Sequence, residues 1–179
     1  ETPMKTLTDQ LANYAAYHRD PRNIASHFIG IPMIVLAVAV LLSRPVWGSV
    51  GIVALSPALA VTALTALYYL RLDWRFGLLM AVLLELNLLA AQWIATLSTG
   101  TWLAAGIGLF AVGWFIQFVG HYYEGKKPAF VDDIMGLIIG PLFVAAEVVF
   151  ALGLRSEVLK AIEERVGPVR RRELKAKTA

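Results

Sequence analysis

The chain has 179 residues, of which 58% are apolar and only 16% are charged. Soluble domains are about 45–50% apolar and about 25% charged, so this composition favours an integral membrane protein over a soluble helical bundle. The formal charge is +3 and there is no cysteine, which excludes disulfides, thiolate metal sites and a cysteine nucleophile.

The N-terminal region, residues 1–20, is predicted to form an amphipathic helix. Apolar and aromatic side chains recur there at the spacing of one helical face: Leu7, Leu11, Tyr14 and His18. Asp20 is a favourable N-cap and Pro21 a favourable first helical residue. A second helix is therefore predicted to begin at Pro21.

Five apolar segments follow, at residues 24–42, 47–70, 76–97, 102–119 and 134–154. Each is close to the length of about twenty residues that a membrane-spanning helix needs, and the connections between them are short. The sequence therefore predicts an all-α, polytopic membrane helical bundle. Residues 1–179 are expected to form a single membrane domain, with the bundle at residues 21–154 and a basic cytoplasmic tail at residues 155–179.

The distribution of basic residues predicts the topology of this bundle. If four segments span and the fifth enters and returns, every Lys and Arg except Arg44 lies on one side. Cytoplasmic loops carry this positive excess, so both termini are expected in the cytoplasm. The fifth segment contains Gly140 and Pro141, and a proline inside a helix removes a hydrogen bond. A break is expected there; the alternative is that the first segment fails to span.

All three histidines of the chain, His18, His27 and His121, fall at this one predicted membrane face. Imidazole binds Zn, Fe, Cu and Ni, and three imidazoles leave coordination positions open. Three histidines support a mononuclear site at most. The residue spacing matches no metal motif, so interfacial histidines that bind no metal remain the alternative. The tail, at residues 155–177, lacks interleaved aromatic residues; a membrane lipid and not a nucleic acid is the expected partner.

Three stretches resemble one known family: YHRDPRNIASHFIGIP, GWFIQFVGHYYEGKKPAFVDD and GPLFVAAEVVFALG. They are similar to the membrane-embedded 2-hydroxy fatty acid dioxygenases, which are known from fungal phytosphingosine breakdown and have many bacterial members. The resemblance implies a mononuclear Fe(II) cofactor held by His18, His27 and His121. It also implies a bacterial inner-membrane location, with 2-hydroxy fatty acid and O₂ as substrates.

The activity that this resemblance implies is α-oxidation, which shortens a 2-hydroxy fatty acid by one carbon at the membrane interface. Catalytic roles are assigned to Glu124, Lys126 and Asp132, and substrate-binding roles to Asn23, Gln117 and Glu147. Two other functions remain open at this point. The chain can be a non-catalytic lipid-binding membrane protein or a zinc-dependent lipid hydrolase, because histidine serves iron and zinc alike.

Overall fold

A computed structural model of the chain describes residues 5–174. It is 74% helical, with seven α-helices in that part of the chain. The predicted all-α membrane bundle is therefore confirmed as a fold class. The described residues divide into two compact units, one made of the residues up to Ile29 and from Ile116 onward, the other of Gly30–Phe115. The single membrane domain expected from the sequence stays a prediction.

Helix α1, Leu7–Ala15, begins at a reciprocal cap in which Thr6 and Asp9 each bind the other's backbone N–H,. Its predicted apolar face is buried. The expectation that this helix reaches His18 is wrong. The helix ends at Ala15, the chain turns at Ala16 and Tyr17, and His18 lies in the loop to the next helix.

Helix α2, Pro21–Leu42, begins at the predicted residue. Asp20 acts as its N-cap, since its carboxylate accepts a hydrogen bond of 2.9 Å from the backbone N–H of Arg22,.

The second apolar segment is not one long helix, and this prediction is wrong. Strands β1, Gly48–Val50, and β2, Val53–Leu55, form an antiparallel hairpin. The turn between them places Gly51 at φ +59, a conformation that glycine adopts without strain. Helix α3, Pro57–Leu72, follows with 16 residues. At 1.5 Å per residue it is about 24 Å long, short of the roughly 30 Å hydrocarbon core.

Helices α4, Trp74–Ala95, and α5, Thr99–Glu124, match the third and fourth segments. Asp73 caps α4 by accepting hydrogen bonds from the backbone N–H groups of Arg75 and Phe76. After α5 a short 3-10 helix, Ala129–Val131, leads to the fifth segment.

The fifth segment is interrupted, but not at Gly140 and Pro141 as predicted. Helix α6, Gly136–Ala151, continues through Pro141, where the flanking side chains are buried and hold the helix together despite one missing hydrogen bond,. It ends instead at Ala151, and Gly153 follows two residues later with φ +74. The N–H groups of Gly153 and Leu154 bind the carbonyls of Phe150 and Val149, the pattern of a glycine-terminated helix.

Helix α7, Ser156–Val166, is bent by 115° from α6 and packs against α1, as α6 also does. Part of the expected tail is therefore helical. Among the described residues, α2, α4 and α5 are long and apolar enough to cross a membrane, and the bent pair of α6 and α7 makes up to four. Whether the fifth segment re-enters stays a prediction.

Candidate metal centre

The structure brings the three histidines together in one buried cluster. His18 lies in the loop between α1 and α2, His27 on the second turn of α2, and His121 near the end of α5. Each is less than 10% exposed, and one ring nitrogen of each lies within 4.8 Å of the corresponding nitrogens of the other two. Residues separated by almost a hundred positions thus share one site.

Backbone carbonyls determine the tautomer of two of these rings. Nδ1 of His18 lies 2.7 Å from the carbonyl oxygen of Tyr14, and Nδ1 of His27 lies 2.8 Å from that of Asn23. A carbonyl oxygen can only accept, so each Nδ1 carries the proton and donates it. The remaining nitrogen, Nε2, then has a free lone pair. Metal-binding histidines are commonly oriented by a hydrogen bond of this kind.

The two free lone pairs face each other. Nε2 of His18 and Nε2 of His27 are 2.9 Å apart, and two lone pairs at this distance repel unless a cation lies between them. Burial lowers the pKa of His18 well below its ordinary value, so a proton is a poor candidate for that cation. Two nitrogen ligands at about 2.0–2.1 Å from one metal are roughly 2.9–3.4 Å apart, for angles between about 90° and the tetrahedral value, so the 2.9 Å separation falls at the short end of this range.

The third ring has an unsatisfied nitrogen. Nδ1 of His121 is buried and has no hydrogen-bond partner among the described residues, which is uncommon for a buried polar atom. A metal ion would satisfy this nitrogen and remove the repulsion between His18 and His27. The residues present therefore fit a metal bound through three neutral imidazoles.

Aromatic side chains cover one side of the cluster. The ring of Tyr14 stacks on His18, with centroids 4.1 Å apart and planes 5° from parallel. Phe143 of α6 lies 5.0 Å from Tyr14 and 5.5 Å from His18. Burial raises the pKa of the Tyr14 hydroxyl. From the sequence, Tyr14 was predicted only to lie on an apolar face and Phe143 was not predicted to be near the site; the i, i+4 spacing of Tyr14 and His18 is the one signal in the sequence for this contact.

Glu124 holds the backbone of the loop that carries His18. Its carboxylate accepts hydrogen bonds from the N–H of Arg19, at 3.0 Å to each oxygen, and from the N–H of Asp20, at 2.8 Å. The side-chain amide of Asn23 donates a further bond of 3.1 Å. Glu124 is 7% exposed, so these donors replace the water that an ionised carboxylate needs. Its predicted catalytic role stays a prediction, and these contacts favour a positioning role.

The two predicted substrate-binding amides are both buried. Asn23 is fully buried, and its backbone carbonyl orients His27 as described above. Its Oδ1 and the Oε1 of Gln117 have no hydrogen-bond partner among the described residues. Gln117 precedes His121 by one turn of α5, so both side chains are on the same face of that helix.

A glycine permits the close approach of α2 and α5 at this level. A Cβ atom at Gly120 would collide with the Ser26 hydroxyl and lie against the Asn23 amide. Ser26 and Asn23 belong to the same segment of α2 as His27. A glycine at position 120 therefore leaves these side chains the space that they occupy beside the histidine cluster.

The other predicted residues lie in different surroundings. Lys126 is exposed and its ammonium group donates to the carbonyl of Ala16, at 2.6 Å. Asp132 is exposed, paired with Lys127 at 2.6 Å and with the hydroxyl of Tyr17, and these two partners lower the pKa of its carboxyl.

Glu147 is half-buried on α6, and its charge interacts with Arg19. The backbone of Lys126 hydrogen-bonds the ring of His121, whereas no contact of Asp132 or Glu147 with the histidines is found in the described residues. Their predicted catalytic and substrate-binding roles stay predictions.

Comparison with known proteins identifies the family. The family model described as "2-hydroxy-palmitic acid dioxygenase Mpo1-like" matches residues 4–152. The chain belongs to the Mpo1-like family. This Mpo1-like chain is also 32% identical, over 161 residues, to the 2-hydroxy-palmitic acid dioxygenase MPO1 of Saccharomyces cerevisiae. The alignment covers 88% of the chain and 87% of the yeast protein.

No solved structure matches the Mpo1-like chain significantly. The resemblance stated from the three sequence stretches is therefore confirmed at the level of the family. The three clustered histidines suit a metal site, and membership in a dioxygenase family points to a metal as well.

Proposed function

We propose that this chain is an Fe(II)-dependent dioxygenase that shortens a long-chain 2-hydroxy fatty acid by one carbon. The proposal rests on the Nε2 atoms of His18 and His27, which lie 2.9 Å apart. Each Nε2 keeps its lone pair because a backbone carbonyl binds the proton on Nδ1 of the same ring. Family membership supports the substrate class, because the yeast relative is named for 2-hydroxy-palmitic acid. One substrate molecule and one O₂ would give the shorter acid, CO₂ and water, which balances all atoms.

His18, His27 and His121 would hold the iron. When bound, the iron supplies open coordination positions and the redox chemistry that O₂ requires. Three neutral imidazoles add no negative charge, so an anionic substrate is favoured at this site. The rings of Tyr14 and Phe143 exclude water from one side of the cluster.

Gln117 is the residue best suited to orient the substrate. Its buried Oε1 lacks a donor, and the hydroxyl of a 2-hydroxy acid is a donor. Phe118, the next residue in the chain, exposes 54% of its surface, and Phe28, the residue after His27, exposes 38%. These exposed aromatic side chains would contact the acyl chain, with about 0.8 kcal/mol gained per buried CH₂.

Three cations that could attract the substrate carboxylate, Lys126, Lys127 and Arg22, are each bound to another group. Lys126 binds the carbonyl of Ala16, Lys127 is paired with Asp132, and Arg22 is paired with Asp20 at 2.8 Å. The positive charge that attracts the carboxylate would therefore come from the bound metal. Lys126 and Asp132 would act by fixing the loop after α5 and not on the substrate.

We also propose a location in the bacterial inner membrane, with the histidine cluster and both termini at its cytoplasmic side. The excess of Lys and Arg on this side of the predicted topology supports it,.

Metal content and product analysis test the function. Protein purified without oxygen or chelators should contain about one iron per chain. 2-Hydroxypalmitic acid should be consumed under air, but not under nitrogen, and give an acid one carbon shorter by mass spectrometry. Palmitic acid should bind without reacting, because it lacks the oxidisable C–OH. Zinc with hydrolysis of a lipid ester, or lipid binding without metal, would support the two alternative functions instead.

A further inference from the structure

A C-terminal strap, residues 167–174, lies against the loop that carries His18. Helix α7 ends at Val166, and Gly167 follows with φ +82. Pro168 comes next and cannot continue a helix. The residues after it form no helix or strand as far as Leu174. The strap lies beyond residues 4–152, where the family model matches, so family membership implies nothing about it.

The strap binds the loop through its backbone. The N–H of Arg170 donates to the carbonyl of Arg19, and the N–H of Arg172 donates to the carboxylate of Asp20, both at 2.8 Å. The guanidinium of Arg22 donates to the carbonyl of Arg172 at 2.8 Å. Bonds from residues two apart are typical of an extended segment, in which alternate N–H groups point the same way.

Arg19 adds a bond in the other direction, since its guanidinium donates to the carbonyl of Gly167 at 3.0 Å. The same guanidinium also donates to the carbonyls of Ala15 and His18. One side chain thus joins the end of α1, the ligand residue His18 and the start of the strap.

The loop is therefore held from two directions. The Glu124 carboxylate accepts hydrogen bonds from the N–H groups of Arg19 and Asp20. The strap donates hydrogen bonds to the carbonyl of Arg19 and to the carboxylate of Asp20. With both its N–H and its C=O bound, Arg19 has little freedom to rotate. His18 is the adjacent residue, and it is the one histidine of the cluster that no helix carries.

We propose that the strap is a positioning element that fixes His18 for metal binding through the backbone donors of Arg170 and Arg172. The proposal rests on the metal site of the proposed function. His27 and His121 are held by helices, whereas His18 depends on contacts from the rest of the chain. Loss of residues that orient a metal ligand typically weakens metal binding by about 10–100-fold.

The test compares two truncations of the full chain. Removal of residues 168–179 deletes both donors, whereas removal of residues 175–179 keeps them. Fe²⁺ is titrated anaerobically into each apoprotein, and the dissociation constant is measured. The longer truncation should bind Fe²⁺ about 10–100-fold more weakly, and the shorter one should match the full chain within about twofold. Equal affinities for both truncations would overturn the proposal.

Three further variants separate the effect of the backbone donors from that of the side-chain charges and guard against misfolding. Arg170→Ala combined with Arg171→Ala removes two charges but no backbone donor, so Fe²⁺ affinity should not change. Arg170→Pro removes one donor and should weaken binding, whereas Arg171→Pro is the matched control, because no bond from the Arg171 N–H is found in the described residues. Weakened binding in the double alanine variant, or equal effects of the two prolines, would contradict a backbone role.

Amide hydrogen exchange distinguishes this proposal from the proposed function. In the apoprotein, removal of residues 168–179 should speed exchange at the amides of Arg19 and Asp20 at least about tenfold. If the full chain bound no Fe²⁺, the proposed function would fail, and exchange alone would still show whether the strap fixes the loop. Unchanged exchange at these two amides would refute the strap's role even if Fe²⁺ binds.

Discussion

Replacement of Glu124 by glutamine tests how the loop that carries His18 is held. If the amide oxygen takes the place of Oε2, it can keep the bonds from Arg19, Asp20 and Asn23. Because the acceptor is then neutral, each of these three bonds should contribute about 1 kcal/mol less to the free energy of unfolding. The new NH₂ group also faces the N–H of Arg19, where Oε1 accepted a bond of 3.0 Å. The variant should therefore be about 3 kcal/mol less stable.

The measurement is reversible unfolding in detergent, together with anaerobic Fe²⁺ titration. Glu164→Gln is the control, because Glu164 is exposed and makes no ion pair in the described part of the chain. If Glu124 positions the loop, Glu124→Gln should lose stability, Fe²⁺ affinity and turnover together. A variant within about 0.5 kcal/mol of the control would refute the assignment. Normal Fe²⁺ binding with loss of turnover alone would restore the catalytic role predicted from the sequence.

Three other predictions follow from the site and the topology. Gly120→Ala should destabilise the protein by about 1–3 kcal/mol, because the added Cβ overpacks the contact between α2 and α5,. Gly108→Ala on the same helix meets no atom within 4 Å and should be neutral or slightly stabilising in the same unfolding assay. Single replacement of His18, His27 or His121 by alanine should abolish bound iron and retain the helical circular dichroism signal; a variant with full iron content would remove that histidine from the site. Reporter fusions at the two termini should both indicate the cytoplasm, and opposite locations would mean that the fifth segment crosses the membrane completely.

Local sequence signals predicted much of the fold. Asp20 and Pro21 specified the start of α2 because an N-cap carboxylate and a fixed proline φ act on their own neighbours. The apolar runs predicted α2, α4 and α5 because a helix that faces lipid needs a continuous apolar length. Local signals failed in the second apolar segment. There, the chain forms a hairpin around Gly51, and hydropathy alone does not distinguish a short apolar strand from part of a helix.

The histidine cluster was predictable only in part. Charge distribution placed His18, His27 and His121 at one predicted membrane face, and the family resemblance assigned them to a metal. Neither could give the 2.9 Å separation of two Nε2 atoms or the carbonyl oxygens that fix their protons. Those depend on the path of the loop between α1 and α2, which is determined by contacts with distant residues.

By itself, the sequence determined the helical membrane class, the start of α2 and the identity of the residues able to hold a metal. These follow from composition, capping and side-chain chemistry, which act over a few neighbouring residues. Only the tertiary structure decided that Glu124 binds a loop about a hundred residues earlier in the chain, and that residues 167–174 hold the same loop from the other direction. Spacing along a sequence carries no information about such bonds, because backbone N–H and C=O groups are the same in almost every residue and only packing decides which of them meet.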